Sequence, residues 1–239
     1  MIELPESLVL RRNIIAEKLL TDKARKWIEK DERTPGLHAS DLLDPRLAYW
    51  QRKIPKPIPD RLVTTFLVGK VLHAFVLDGA VQGGAGALGA DDVGSLISET
   101  LGISYSPDSL AGGKVRELKT TRSFYEPKSV EDLRLYLEQI LVYMAATDPP
   151  TCSAQLWLLM LNLRDENKKT SPAFRTYDVE VPEADMKRVV ERLQATRASL
   201  QLALDTDTPG TLPLCRQFKC GEGNCQWWND CRPEGRWKG

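Results

Sequence analysis

In the segment KVRELKTT, residues 114–121, a glutamate and a lysine stand two apart in a run otherwise patterned as a buried β-strand. Strand side chains alternate between faces, so Glu117 and Lys119 project to one side and Leu118 to the other. Upstream, SPDSL supplies Asp108, and Gly112–Gly113 offers a turn that returns the Asp-bearing arm along the Glu-bearing one. Two carboxylates brought together resist joint ionisation unless a cation lies between them. Such oxygen donors suit Mg²⁺ or Mn²⁺, and the Leu118 carbonyl could add one more. A metal held there lowers the pKa of a bound water and offsets charge developing during phosphodiester hydrolysis. Lys119 would orient that water and stabilise the nascent negative charge. The plain alternative is an exposed same-face ion pair, worth roughly 0–1 kcal/mol.

Further residues capable of chemistry lie on either side. Gln139 and Tyr143 are spaced i,i+4 in SVEDLRLYLEQILVYMAAT, residues 129–147, and stack on one helical face. His73 sits in the apolar run GKVLHAFV. Singly, each has an ordinary reading as a packed side chain. Together, the order His73, Asp108, Glu117-x-Lys119, Gln139-x-x-x-Tyr143 resembles the RecB-like branch of the PD-(D/E)xK nuclease superfamily. The likeness covers roughly residues 38–147, and Thr120 and Thr121 match that family's usual strand ending. It implies a metal-dependent DNA nuclease on a restriction-endonuclease-like α/β core, a mixed sheet flanked by helices. By the same resemblance, His73 joins Asp108, Glu117 and Leu118 around the Mg²⁺ or Mn²⁺ ion. Lys119 serves the water, and Gln139 and Tyr143 contact DNA or hold the lysine. Exonuclease action on single-stranded DNA or DNA ends is likewise the family's implication. The competing reading is a catalytically inactive nuclease-like module that binds DNA or a protein.

The C-terminal segment PLCRQFKCGEGNCQWWNDCRPEGRWKG spaces Cys215, Cys220, Cys225 and Cys231 as C-x4-C-x4-C-x5-C. Four thiolates so close can close a tetrahedral site or hold a cluster, and the stretch has too few aliphatic residues to order itself otherwise. By spacing alone Zn²⁺ suits them equally well. RecB-like nucleases that include the CRISPR-adaptation exonucleases look similar here, and that resemblance implies a [4Fe-4S] cluster. Those families take one ligand from a Cys preceding Pro-Arg far upstream. This chain has Asp44 before Pro45–Arg46, which is consistent with Cys215 as the fourth local ligand and Cys152 as a core residue. Trp227 and Trp228 are expected to pack the tail onto the core; Trp237 suits either packing or base stacking.

The elements that must position these groups follow from periodicity. A helix is expected over 5–31, a short one with Ser40 as N-cap, a Pro-rich connector at 53–60, and a helix over 61–81. A glycine-rich loop at 83–94 precedes a hairpin made of GISYSPDSL and KVRELKTT. The 129–147 helix opens on a Ser129/Asp132 capping box. Strands CSAQLWLLMLNL and FRTYDVEV and a helix from Pro182 to Asp205 complete the pattern α-α-α-ββ-α-ββ-α. The division implied is a helical region at 1–60, a nuclease core at 61–205 and a cysteine tail at 206–239. Lys plus Arg and Asp plus Glu both number 33, so no net charge argues for a nucleic-acid partner, although a local basic groove remains compatible. The 42% hydrophobic content suffices for a core, and no run approaches a membrane span. The N-terminus has acids before bases and no small-residue cleavage site, and with five cysteines outside a disulfide pattern an intracellular, cytoplasmic protein is expected. Partners in repair, recombination or CRISPR adaptation are compatible with the resemblance.

Overall fold

The longest apolar run, LWLLML at 156–161, lies in the middle of the longest strand of a four-stranded sheet. The computed structural model describes residues 21–22, 24–25, 35–82, 95–215 and 225–231, with backbone alone at 61, 73–82 and 111. Its strands are β1 (Leu96–Ser98), β2 (Ile103–Tyr105), β3 (Ser109–Ala111), β4 (Lys114–Thr121), β5 (Ser153–Arg164) and β6 (Thr170–Glu180). Its helices are α1 (Ala39–Leu43), α2 (Pro45–Lys53), α3 (Asp60–Gln82), α4 (Arg134–Ala146), α5 (Glu183–Thr206) and α6 (Trp228–Cys231). The chain divides into two compact units, Met1–Arg33 with Pro57–Val71, and Thr34–Lys56 with Leu72–Gly239. In the first, the Arg25 guanidinium holds the Ile58 carbonyl and Asp60. The second contains the sheet.

The sheet order is β3-β4-β5-β6. Strands β4 and β5 run parallel, Glu117 beside Leu156 and Lys119 beside Leu158, and the other two pairings are antiparallel. A parallel neighbour needs a crossover, and α4 provides it by packing back on both strands. The sheet is therefore mixed and flanked by helices, the α/β class expected. One face carries Val115, Leu156, Leu158 and Met160 into a core shared with Ile140 and Met144 of α4 and Leu193 and Leu200 of α5. The opposite face carries Leu118, Trp157 and Leu159 into a smaller cluster packed against Leu72 and Leu161. Fully burying a side chain of this size stabilises by about 1.5–3 kcal/mol.

Local chemistry explains most boundaries. The β3–β4 turn needs Gly112 and Gly113, whose φ of 59° and 74° match a two-residue turn with both central residues left-handed. The capping box is present: Asp132 accepts the Ser129 and Lys128 amides, and Ser129 Oγ accepts the Asp132 amide. A 3₁₀ turn, Glu131–Leu133, then leads into α4.

Three expectations are corrected. Ser40 is not the cap of the first short helix; His38 takes that position, its amide donating to Asp41 at 2.9 Å. That helix is also two, broken at Asp44 because Pro45 lacks the amide needed to continue. GISYSPDSL is not one hairpin arm either. Pro107 divides it, so that β2 pairs with β1 in a separate two-stranded sheet and only β3 pairs with β4. The 5–31 helix, apart from helical residues at 21–22 and 24–25, and the 83–94 loop lie outside the described residues.

Candidate active site

Strand β4 is short of a full partner on its β3 side. Pairing ends at Ser109 opposite Arg116, and continuing that register by one residue sets Asp108 across from Glu117. The Leu118 amide, which no longer has a strand partner there, donates to Asp108 Oδ2 at 2.7 Å. Because the amide and carbonyl of one strand residue point to the same edge, the Leu118 carbonyl also faces the Asp108 side.

Glu117 is only 2% exposed. One of its oxygens, Oε1, receives the Lys119 ammonium, while the other, Oε2, is buried with no hydrogen-bond partner among the described residues. Burial pushes the Glu117 carboxyl well above its ordinary range, and the neighbouring Asp108 charge adds to this. The Lys119 charge and hydrogen bonds from Lys119 and the Asp108 amide pull the other way. A bare carboxylate oxygen in such surroundings is costly unless a cation reaches it.

Helix α4 closes the site over the same face. Gln139 Nε2 donates to Tyr143 Oη at 2.9 Å, and the Tyr143 ring lies 6.4 Å from that of Tyr105. Burial raises the Tyr143 hydroxyl, followed by the Glu117 charge, while the Gln139 hydrogen bond opposes it. Tyr143 therefore stays a neutral hydroxyl beside the carboxylates.

The structure thus brings together Asp108, Glu117, Leu118, Lys119, Gln139 and Tyr143. His73 lies in α3, but its side chain is outside the described ones. Among the described residues, no three His, Cys, Asp or Glu side chains form a metal cage. The donors that do converge, two carboxylates with one orphaned oxygen and a backbone carbonyl, are hard and fit a divalent ion such as Mg²⁺ or Mn²⁺.

In the tail, Cys220 lies outside the described residues, and Cys215, Cys225 and Cys231 are in no disulfide among the described residues. Burial raises the Cys225 thiol, and the nearby Cys231 raises it further. Cys225 and Cys231 are thus neighbours, and thiolates are donors for a soft or borderline metal. The packing expected of the tryptophans is found at Trp227, whose Nε1 donates to the Ile54 carbonyl at 2.7 Å. Cys152 packs at the edge of the main core, as expected.

Sequence reasoning missed a cleft of about 410 Å³ where β4 ends, lined by Thr121, Ser123, Tyr125, Lys128, Tyr136 and Leu158 among others. The parallel β4–β5 pair was the available signal, since ligands gather beyond the carboxyl ends of such strands.

No family model matches the sequence, and no curated protein matches it. Among solved structures, the fold is similar to SSO0001, with a TM-score of 0.47 and 17% identity over 77% of this chain and 87% of that one. It is similar too to an alkaline exonuclease, LHK-Exo, from Laribacter hongkongensis, with a TM-score of 0.46 and 17% identity over 77% of this chain and 96% of that one. LHK-Exo in complex with dAMP gives a TM-score of 0.45 and 18% identity over 73% and 92%. All three scores fall below 0.5, so the reading of the site rests on its own geometry. No described helix is long and apolar enough to cross a membrane.

Proposed function

We propose that this chain is a divalent-metal-dependent DNA nuclease that hydrolyses phosphodiester bonds, as an exonuclease on single strands or strand ends. The observation that carries the reading is the orphaned, buried Glu117 Oε2 beside the Asp108 carboxylate, with an ammonium on the other Glu117 oxygen. A stabilising salt bridge has no need of an unsatisfied oxygen; a metal site does.

Asp108, Glu117 and the Leu118 carbonyl would hold Mg²⁺ or Mn²⁺, joined by His73. The ion supplies a polarised water and offsets charge on the phosphoryl group. Lys119 shares the strand face of Glu117 and is tethered by it, which keeps its ammonium where an attacking water and a phosphoryl oxygen meet. Gln139 fixes the Tyr143 hydroxyl, and the pair presents neutral donors to the substrate without adding charge to a site already short of cations. The tail cysteines 215, 220, 225 and 231 would hold a [4Fe-4S] cluster, with Zn²⁺ as the alternative. Its role would be structural, in a protein of the cell interior.

The test is incubation of labelled single-stranded, double-stranded and closed circular DNA with Mg²⁺, Mn²⁺ or EDTA. Metal-dependent loss of single strands and ends, with circles spared, is expected. Glu117→Gln and Lys119→Ala should lower the rate by about 10²-fold or more while leaving the fold intact. Full activity in both variants would overturn the proposal. A visible absorption band from anaerobically purified protein would assign the cluster, and its absence with one zinc per chain would assign the alternative.

A further inference from the structure

The cleft beyond β4 has no part in the chemistry above. It opens at Thr121, on the same strand face as Glu117 and Lys119 and about 7 Å past the lysine, one nucleotide step along an extended strand. Its lining combines the Tyr125 and Tyr136 rings with the Ser123 hydroxyl and the Lys128 side chain.

The acids of the lining are already engaged, Asp132 by the Lys128 and Ser129 amides and Glu126 by Arg175. Among the described residues, Lys128 has no ion-pair partner within 4 Å. Among those residues Lys128 is thus the one cation of the lining, and its charge also acts on Asp132.

The rim is also fastened before any ligand arrives. Ser123 Oγ donates to the Tyr125 carbonyl and accepts the Tyr125 amide. The Arg164 amide donates to the Phe124 carbonyl, and the Arg164 guanidinium lies 4.4 Å over the Phe124 ring. Meanwhile Tyr125 itself is 64% exposed. An aromatic ring left in water on an anchored loop, beside an exposed lysine, has the make-up of a stacking platform with a phosphate contact. At about 410 Å³ the cleft is near the lower end of small-ligand pockets, enough for one nucleotide and too small for a base pair.

We propose that this cleft seats one unpaired nucleotide of the substrate strand next to the scissile phosphate. Its base lies against Tyr125 and Tyr136, and its phosphate beside Lys128. The assignment rests on the nuclease reading of the adjoining site and names the substrate feature that site selects.

The experiment is binding in EDTA, followed by fluorescence anisotropy, so that hydrolysis plays no part. The probes are labelled oligothymidylate, an abasic strand of equal length, and a blunt hairpin duplex. Tyr125→Ala should weaken oligothymidylate binding about tenfold and leave the abasic strand within about twofold of wild type. Lys128→Ala should weaken both single strands, and neither variant should change duplex binding. Both side chains are exposed, and unchanged melting temperatures would confirm intact folds. Unchanged oligothymidylate binding in both variants, or equal weakening for strand and duplex, would overturn the assignment. Absence of cleavage by the wild type with every metal would count against the nuclease reading alone, since this binding test does not depend on turnover.

Discussion

Glu117 is held in an environment that favours its proton. Burial pushes its carboxyl up to about 7, against an ordinary value of 4.5. A raised folded-state value means that the folded protein binds this proton more tightly than the unfolded chain. The resulting stabilisation is complete below pH 4.5 and is lost as pH rises through about 7. In EDTA, the wild type should therefore become less stable between about pH 5 and pH 8, by a few kcal/mol at most, and Glu117→Gln should remove that fall. Mn²⁺ should stabilise the wild type more at the upper end of this range, because the ion and the proton compete for the same oxygens. Melting temperatures across pH, with and without metal, check both statements. A wild-type profile identical to that of Glu117→Gln would show that the carboxyl is not strained. If the site works as proposed, cleavage should decline as pH falls and protons displace the ion from Glu117.

Between residue and fold, the decisive element is the join of β3 to β4. Asp108 has two tasks there, accepting the Leu118 amide and placing charge near Glu117. They separate by substitution. Asp108→Asn keeps a carbonyl oxygen for the Leu118 amide and loses the charge, so urea stability should stay near wild type while metal-dependent cleavage falls about 10²-fold or more. Asp108→Ala loses both and should cost about 1–3 kcal/mol in addition. If Asn destabilises as much as Ala, the charge and not the hydrogen bond holds the strand. This element also marks where sequence reading works and where it stops. The alternation of Glu117 and Lys119, the glycine turn and the Ser129/Asp132 box are short-range patterns, and each is found in place. Strand β1, three residues long, is too short to show a period, and Pro107 splitting one arm into two sheets depends on pairing that no local pattern encodes. The cleft escapes for the same reason: Tyr125, Tyr136 and Leu158 meet only after α4 has folded back over β5.

At the scale of the whole molecule, the question is what secures the cysteine tail. The structure shows a fastening at Arg46, two residues after Asp44. Arg46, 5% exposed, donates through Nε and Nη2 to the Leu212 carbonyl at 3.1 and 2.6 Å and to the Gly210 carbonyl at 3.0 Å. Tyr49 and Lys53 hold Asp207 on the same side. Further on, Lys56 pairs with Asp230 at 2.5 Å, and the buried Trp227 bonds the Ile54 carbonyl. The start of the tail is thus tied to α2 by hydrogen bonds from a buried charge, independently of any metal. Arg46→Ala would strand those carbonyls and should lower the stability of the folded core by about 2–3 kcal/mol, seen as a lower urea midpoint with an unchanged slope. If the tail cysteines hold a metal as proposed, Cys225→Ser should abolish its binding and leave that midpoint close to wild type, because Cys225 lies outside the main core cluster. Were Cys225→Ser to destabilise the core as much as Arg46→Ala, the tail cysteines would themselves be a fastening of the core.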